Sequence, residues 1–211
     1  AGAVVTPYYS DDHVTLYHAR WEDVPPDLLR ADVLVTDPPY GIGAAKENAH
    51  SRIRDRAQWP DLTWDNERPT NAVRVLVGMF EHAAVWGGNY FADVLPVSAG
   101  WLAWVKPEAE SGFSLADLEL CWTSRLTAAA RSKKFTRLRG GEHPTEKPIE
   151  VMRWTVEFMP PGTVLDPYAG SGTTLVAAKS LGRKAIGVEC VEAYCEVAAN
   201  RLRQEVLGLV A

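Results

Sequence analysis

The 211-residue chain has little that would staple it, anchor it or hold a metal. Its three cysteines, Cys121, Cys190 and Cys195, are odd in number and lack CxxC spacing. That pattern argues against a disulfide scaffold and a zinc site, and it fits a reducing cytoplasm. The five histidines (His13, His18, His50, His82 and His143) share no spacing, so no metal-ligand set is expected. No apolar run approaches the roughly 18 residues of a membrane span. Residues 1–5 offer neither a basic start nor a long apolar core, so no signal peptide is read there. There is no internal repeat and no low-complexity tract. Positive charge is also short: the formal net charge is −5, which by itself counts against a nucleic-acid partner.

What is present describes a soluble globular protein. The chain is 46% hydrophobic and 23% charged, and its length suits one domain over residues 1–211. The charge is unevenly spread. Residues 125–147 hold seven basic and two acidic side chains, a net +5 that leaves −10 for the rest. Such a stretch is either a solvated loop or a local phosphate-binding element on an acidic body.

Short apolar runs alternate with helix-length segments, the pattern of an α/β fold with a sheet covered on both faces. Strands are expected at residues 14–17, 32–36, 83–86, 101–105, 118–123, 164–166 and 184–188, where β-branched and aromatic residues concentrate. Helices are expected at 72–81, 148–158, 173–181 and 191–205. Two polar stretches do not read as core. Residues 41–69 are expected to form a mobile loop, and residues 108–142 contain one strand and a basic remainder.

The run Val164-Leu165-Asp166-Pro167-Tyr168-Ala169-Gly170-Ser171-Gly172-Thr173-Thr174 reads strand, tight turn, helix. Its small residues let a ligand approach the backbone, where a helix N-terminus offers free N–H groups. Leu175 stands where the third glycine of a dinucleotide fingerprint belongs, and no GK[ST] phosphate loop follows. The next strand ends in Glu189, 19 residues after Gly170, a distance at which an acid can accept both hydroxyls of a ribose. An adenosine ligand without a pyrophosphate follows, and S-adenosyl-L-methionine (AdoMet) fits better than NAD or ATP. Asp166, Pro167, Ala169, Gly170, Ser171, Gly172, Thr173 and Glu189 are the expected cofactor residues.

A second buried strand runs directly into Asp37-Pro38-Pro39-Tyr40. It delivers them to the carboxyl edge of the sheet, where open α/β folds bind ligands. An exocyclic amine on a base is a poor nucleophile, because its lone pair is delocalised into the ring. The Asp37 carboxylate and the Pro38 carbonyl can accept its two N–H bonds and favour a pyramidal nitrogen. The prolines hold that carbonyl stiffly, and Tyr40 offers a flat face to a base drawn out of a duplex.

With these motifs in this order the chain resembles the DNA amino-methyltransferases, specifically the circularly permuted β class, in which the DPPY element precedes the glycine loop. His143-Pro144-Thr145-Glu146-Lys147-Pro148 is similar to the HPTEKP-type element of that family, and Trp86-Gly87-Gly88-Asn89-Tyr90 to a further pocket element. The resemblance implies a Rossmann-like, circularly permuted mixed sheet with a late antiparallel hairpin, for which 101–105 and 118–123 are the natural strands. It places Thr145 and Lys147 near the methionine end of AdoMet, and target recognition in 108–142. There Lys133, Lys134, Arg137 and Arg139 are the expected DNA contacts. One departure stands out: the family often carries Gly-Asp after its first strand, whereas this chain has Tyr17-His18-Ala19-Arg20. No adenine contact is assigned there.

The implied reaction is direct methyl transfer from AdoMet to N6 of adenine in double-stranded DNA, by a cytoplasmic enzyme with no membrane partner. A homodimer is an open possibility. No cysteine follows a proline, which argues against carbon-5 cytosine chemistry. N4-cytosine methylation is the nearest alternative, although that branch more often has Ser at the position of Asp37. RNA or protein amide methylation is a weaker alternative, because those enzymes commonly show Asn-Pro-Pro-Tyr after the glycine loop. A catalytically silent AdoMet- or DNA-binding regulator is the alternative of another class.

Overall fold

Val33, Leu34 and Val35 are all fully buried, so their strand is covered on both faces. The computed structural model describes residues 5–43, 65–106, 116–125, 129–136 and 147–208. In chain order the elements are β1 (Tyr9–Ser10), β2 (Val14–His18), β3 (Val33–Thr36), α1 (Thr70–Met79), β4 (His82–Trp86), β5 (Trp101–Val105), β6 (Leu118–Thr123) and β7 (Arg131–Lys134). There follow α2 (Ile149–Phe158), β8 (Val164–Asp166), α3 (Thr173–Ser180), β9 (Ala185–Glu189) and α4 (Glu192–Gly208).

The strand pleat sorts side chains into two cores. Val33, Val35, Ala84, Trp86 and Val164 pack with Val151, Met152 and Val156 of α2, Leu175 and Ala178 of α3, and Ala198 and Leu202 of α4. Leu34, Ala83, Val85, Leu165 and Val188 point the other way and meet Val73, Leu76 and Val77 of α1. The result is one mixed sheet between two helical layers.

The sheet order is β1-β2-β9-β8-β3-β4-β6-β5-β7. Strands β2, β9, β8, β3 and β4 run parallel. Strand β6 is antiparallel to both β4 and β5, which gives the late hairpin expected from the sequence. Strands β8 and β3 are neighbours whose connections diverge, because β8 leads to β9 on one side and β3 to β4 on the other. Such a switch point leaves a crevice at the carboxyl ends of the two strands. The Asp37 turn follows β3, and Asp166 ends β8.

Every expected helix and strand is present within three residues of its expected bounds. Two strands went unpredicted. Strand β1 is two residues long, too short to show a period. Strand β7, Arg-Ser-Lys-Lys, is exposed at all four positions and has no apolar alternation. It exists because β5 offers a free edge, and because Phe135 beyond it packs on Trp154 and accepts a bond from Trp104 Nε1 at 2.8 Å. Among the described residues no helix is long and apolar enough to cross a membrane.

Of the stretch 41–69, the two ends are described, and they are fastened together. Gly41 N donates to Asp65 Oδ1 at 2.8 Å, and Gly43 N donates to Asp65 O at 3.1 Å. The middle, 44–64, on which the expected mobility rests, lies outside the described residues.

Candidate active site

The carboxyl ends of β3, β8 and β9 open onto one cavity of about 630 Å³. Asp37 and Pro39 reach it from the β3 end, Lys147 from the start of α2, and Asp166 to Ser171 with Thr173 from the glycine turn. Glu189 reaches it from the end of β9.

The glycine turn is shaped for close approach. Gly170 has φ of +51°, and a Cβ there would meet no atom within 4 Å, so the position opens onto free space. Glu189 Oε2 accepts from Gly170 N, and its Oε1 accepts from Val191 N, both at 2.8 Å. Burial pushes the Glu189 carboxyl up, while these two N–H bonds pull against it. Asp166 is fully buried and accepts from Thr36 Oγ1 at 2.9 Å and Tyr168 N at 3.1 Å. Burial raises its carboxyl to about 6 against the pull of Thr174, Thr36 and the Tyr168 amide. Arg201 of α4 braces the turn from behind, donating to Ser171 O at 2.9 Å and to Ser171 Oγ and Thr173 Oγ1 at 3.0 Å.

The Asp37 turn is held by charge. Tyr40 hydroxyl donates to Asp37 Oδ1 at 2.5 Å, and Lys147 Nζ donates to Asp37 Oδ2 at 2.5 Å. Lys147 Nζ also lies 2.9 Å from the Tyr40 hydroxyl and 3.3 Å from Glu119 Oε2. Glu119 Oε1 pairs with Lys106 at 2.7 Å. Burial would neutralise Lys147, but Asp37 and Glu119 outweigh it and hold the ammonium above its ordinary range. Burial would likewise raise Glu119, but Lys147 and Lys106 keep it low. Burial, with Asp37 and Glu119 adding to it, pushes the Tyr40 phenol well up, so it stays neutral. The Tyr40 ring lies against Gly87, whose φ of +67° and missing side chain make the contact possible, since a Cβ there would overlap the ring. Trp86, next to that glycine, donates through Nε1 to Thr155 Oγ1 at 3.2 Å and lies beneath Lys147.

Not every expected residue reaches the cavity. Pro38, Tyr40 and Gly172 are not among the residues that line it; Tyr40 is half-buried beside it, and Gly172 turns toward Ala198 of α4. Lys133 and Lys134 lie on β7 at the far edge of the sheet, where Lys133 Nζ sits 5.3 Å from the centre of the Trp154 ring. Thr145, Arg137 and Arg139 lie outside the described residues. Arg125, counted in the basic stretch, is engaged internally: it donates to Phe158 O at 2.5 Å and covers the Phe158 ring. Among the described residues no cluster of three or more His, Cys, Asp or Glu could hold a metal.

Sequence reasoning missed Glu119, Lys106 and Arg201. Glu119 alone carried a signal, as an acid within the otherwise apolar strand Leu-Glu-Leu-Cys-Trp-Thr. It also left Ala19 to Glu22 unassigned, and these residues form part of the cavity wall after β2.

The model of the N6/N4 methyltransferase family, described as DNA methylase, matches residues 64–200. The chain belongs to that family. Putative methylase YubD of Escherichia coli (strain K12) is 47% identical over 186 residues, covering 81% of this chain and 81% of that protein. Type II methyltransferase M.ScaI of Streptomyces caespitosus is 33% identical over an alignment of 273 residues, covering 98% of this chain and 87% of that protein. Among solved structures, the M1.HpyAVI–SAM complex superposes with a TM-score of 0.57 at 23% identity, over 90% of this chain and 98% of that one. At that identity the likeness speaks for the fold.

Proposed function

We propose that this DNA methyltransferase transfers the methyl group of AdoMet to N6 of adenine in double-stranded DNA, and that it is of the permuted β class. One observation carries the reading. Thr36, the last residue of β3, donates to Asp166, the last residue of β8, at 2.9 Å. The turn suited to the target amine and the turn suited to the cofactor are thereby fixed side by side at one switch point.

The residues present fit AdoMet. Glu189 stands at the end of β9 on the cavity wall, oriented by the Gly170 and Val191 amides, where a carboxylate can accept ribose hydroxyls. Gly170 leaves its face of the cavity free of side chain. Asp166, buried and negative when ionised, complements a cationic ligand. Bound there, AdoMet supplies an electrophilic methyl group. The chain supplies position. Asp37 and the Pro38 carbonyl accept the N–H bonds of the target amine, and Tyr40 stacks on the extrahelical base. Holding nucleophile and methyl in line supplies much of the acceleration. Lys133, Lys134, Arg137 and Arg139 meet the DNA backbone.

Adenine is preferred over cytosine because the acceptor is Asp37 rather than serine. Mass spectrometry of DNA digested after incubation with the protein and AdoMet tests this. N6-methyladenine is the expected product. N4-methylcytosine alone would reverse the base assignment, and no product would favour the silent regulator.

A further inference from the structure

Tyr90 lies where an extrahelical base would meet Tyr40. The two rings are 4.8 Å apart at their centres and 17° from parallel, which is also the arrangement of a base laid on a tyrosine. The rest of the Tyr40 ring is already in contact. It packs on the core cluster that includes Leu34 and Val85, and the Gly87 backbone approaches it so closely that a Cβ there would overlap it. Asp37 borders the cavity, whereas Tyr40 does not. The open side of the stacked pair belongs to Tyr90, which is 37% exposed.

A base stacked on the outer side of Tyr90 would not serve the transfer. Asp37 stands at the level of the Tyr40 ring, because its Oδ1 accepts from the Tyr40 hydroxyl at 2.5 Å and a phenol O–H lies in the plane of its ring. A base outside Tyr90 would be two aromatic layers from that level, with its amine carried away from the carboxylate. A base directly on Tyr40 is one layer away, and that layer is the one the Tyr90 ring fills.

The Tyr90 backbone is fixed, but its ring is free to turn. Its N–H donates to Gly87 O at 2.8 Å, and its carbonyl accepts from Arg68. Arg68 is anchored in turn by a two-pronged pair with Asp93 at 2.7 and 2.9 Å. Among the described residues the Tyr90 hydroxyl makes no hydrogen bond. Rotation about the side-chain bonds therefore carries the ring outward without breaking any of these backbone bonds.

We propose that Tyr90 is a positioning residue that occupies the place of the target base on Tyr40 in the free protein and yields it when the base enters. The proposal rests on reading Tyr40 as the platform for that base. Base and Tyr90 then compete for one face, so removing the Tyr90 ring favours the base.

DNA titrations with S-adenosylhomocysteine in place of AdoMet, so that no transfer occurs, test this on two duplexes. One carries the target adenine and the other an abasic site at that position; only the first has a base to compete with Tyr90. Tyr90→Ala should bind the adenine duplex about three- to tenfold more tightly, the factor that an aromatic pair represents, and the abasic duplex as tightly as the wild type does. With AdoMet, the DNA concentration giving half-maximal single-turnover transfer should fall by the same factor. Tyr90→Phe keeps the ring and should bind both duplexes as the wild type does. A merely structural Tyr90 would weaken binding to both duplexes in Tyr90→Ala, and a Tyr90 that itself stacks on the base would weaken binding to the adenine duplex alone. Either result, or equal affinity of Tyr90→Ala and the wild type for the adenine duplex, overturns the proposal. If Tyr90→Ala does not fold, Tyr90→Leu is read by the same two affinities. Tyr40→Ala separates the two readings. If it keeps its transfer rate, Tyr40 is not the platform; if it loses that rate while Tyr90→Ala gains no affinity, only the role of Tyr90 fails.

Discussion

The ring of Tyr90 lies on the ring of Tyr40, with centroids 4.8 Å apart and planes 17° from parallel. Arg68 fixes the Tyr90 backbone by donating to its carbonyl, and pairs with Asp93 at 2.7 Å. A flat surface that an extrahelical base could use is thus covered by a second aromatic side chain. Stacking of a base on an aromatic ring is worth ~1–3 kcal/mol. For a base to stack on Tyr40 the Tyr90 ring must give way to it; with the base seated there, Tyr40→Ala should lower transfer by about one to two orders of magnitude on the same basis while sparing AdoMet affinity. The emission of 2-aminopurine at the target position reads stacking directly. It should be brighter with Tyr40→Ala than with the wild type, and equal brightness would remove Tyr40 from the base site.

Asp37→Ala should abolish methyl transfer and leave AdoMet affinity nearly intact, because Asp37 is assigned to the amine and Glu119 still neutralises Lys147. Radiolabel transfer to DNA, paired with calorimetry on the same sample, checks both halves. Substantial turnover would refute the mechanism.

Glu189→Ala and Asp166→Ala should each weaken AdoMet binding by ~1.5–3 kcal/mol, the usual cost of losing a charge-assisted hydrogen bond. Calorimetric titration is the measurement. Unchanged affinity in both variants would sink the cofactor assignment.

A pH dependence follows from Asp166, whose buried carboxyl sits at about 6. An unfolded aspartate loses its proton near pH ~3.9. The folded protein therefore holds a proton that the unfolded chain has released. The associated stabilisation is complete below the unfolded value and disappears as pH rises through about 6. Glu189 is shifted in the same direction. Asp11 opposes them: despite its burial, Lys179 and other hydrogen bonds hold it low, so its contribution is lost only in more acidic solution. The melting temperature of the free protein should fall between roughly pH 4 and 6, and Asp166→Asn should flatten that fall. A cationic ligand favours the ionised form, so AdoMet affinity should rise over the same interval. An equal fall in Asp166→Asn would exclude this carboxyl as the cause.

DNA affinity should drop steeply with salt. Replacing Lys133 and Lys134 with Ala should weaken binding and reduce the salt slope by about one per lysine. The recognised site should be short, about two to five base pairs, because few side chains of the basic segment remain for base edges. Titrations at several salt concentrations and base-resolution methylation mapping check the two parts. A stringent site of about eight base pairs or more, read by a monomer, would contradict this.

The parts that the sequence made legible are those whose pattern is local. Buried runs such as Val33 to Thr36 announce a two-sided strand, and the glycine turn with Glu189 repeats a known spacing. The charged cluster beside Asp37 was not legible, because Lys106, Glu119 and Lys147 are brought together only by the β5–β6 pairing and the entry to α2. Strand β7 was missed for a related reason: its lysines carry no strand signal, and the neighbouring edge imposes the conformation. Arg125 misled in the opposite way, since charge counting cannot distinguish a side chain that faces solvent from one spent on a helix carbonyl.

The fastening of Gly41 and Gly43 to Asp65 separates the architecture from whatever the intervening 21 residues, 44–64, contain. Asp65 meets the chain at Gly41 and Gly43, so these bonds hold the two ends of 44–64 together. Doubling the length of such an insert costs only ~0.6 kcal/mol in closure entropy. The fastening lies beside the Asp37 turn, at the end of β3. The Asp37 turn is thereby tied, through Gly41 and Asp65, to the chain that leads into α1.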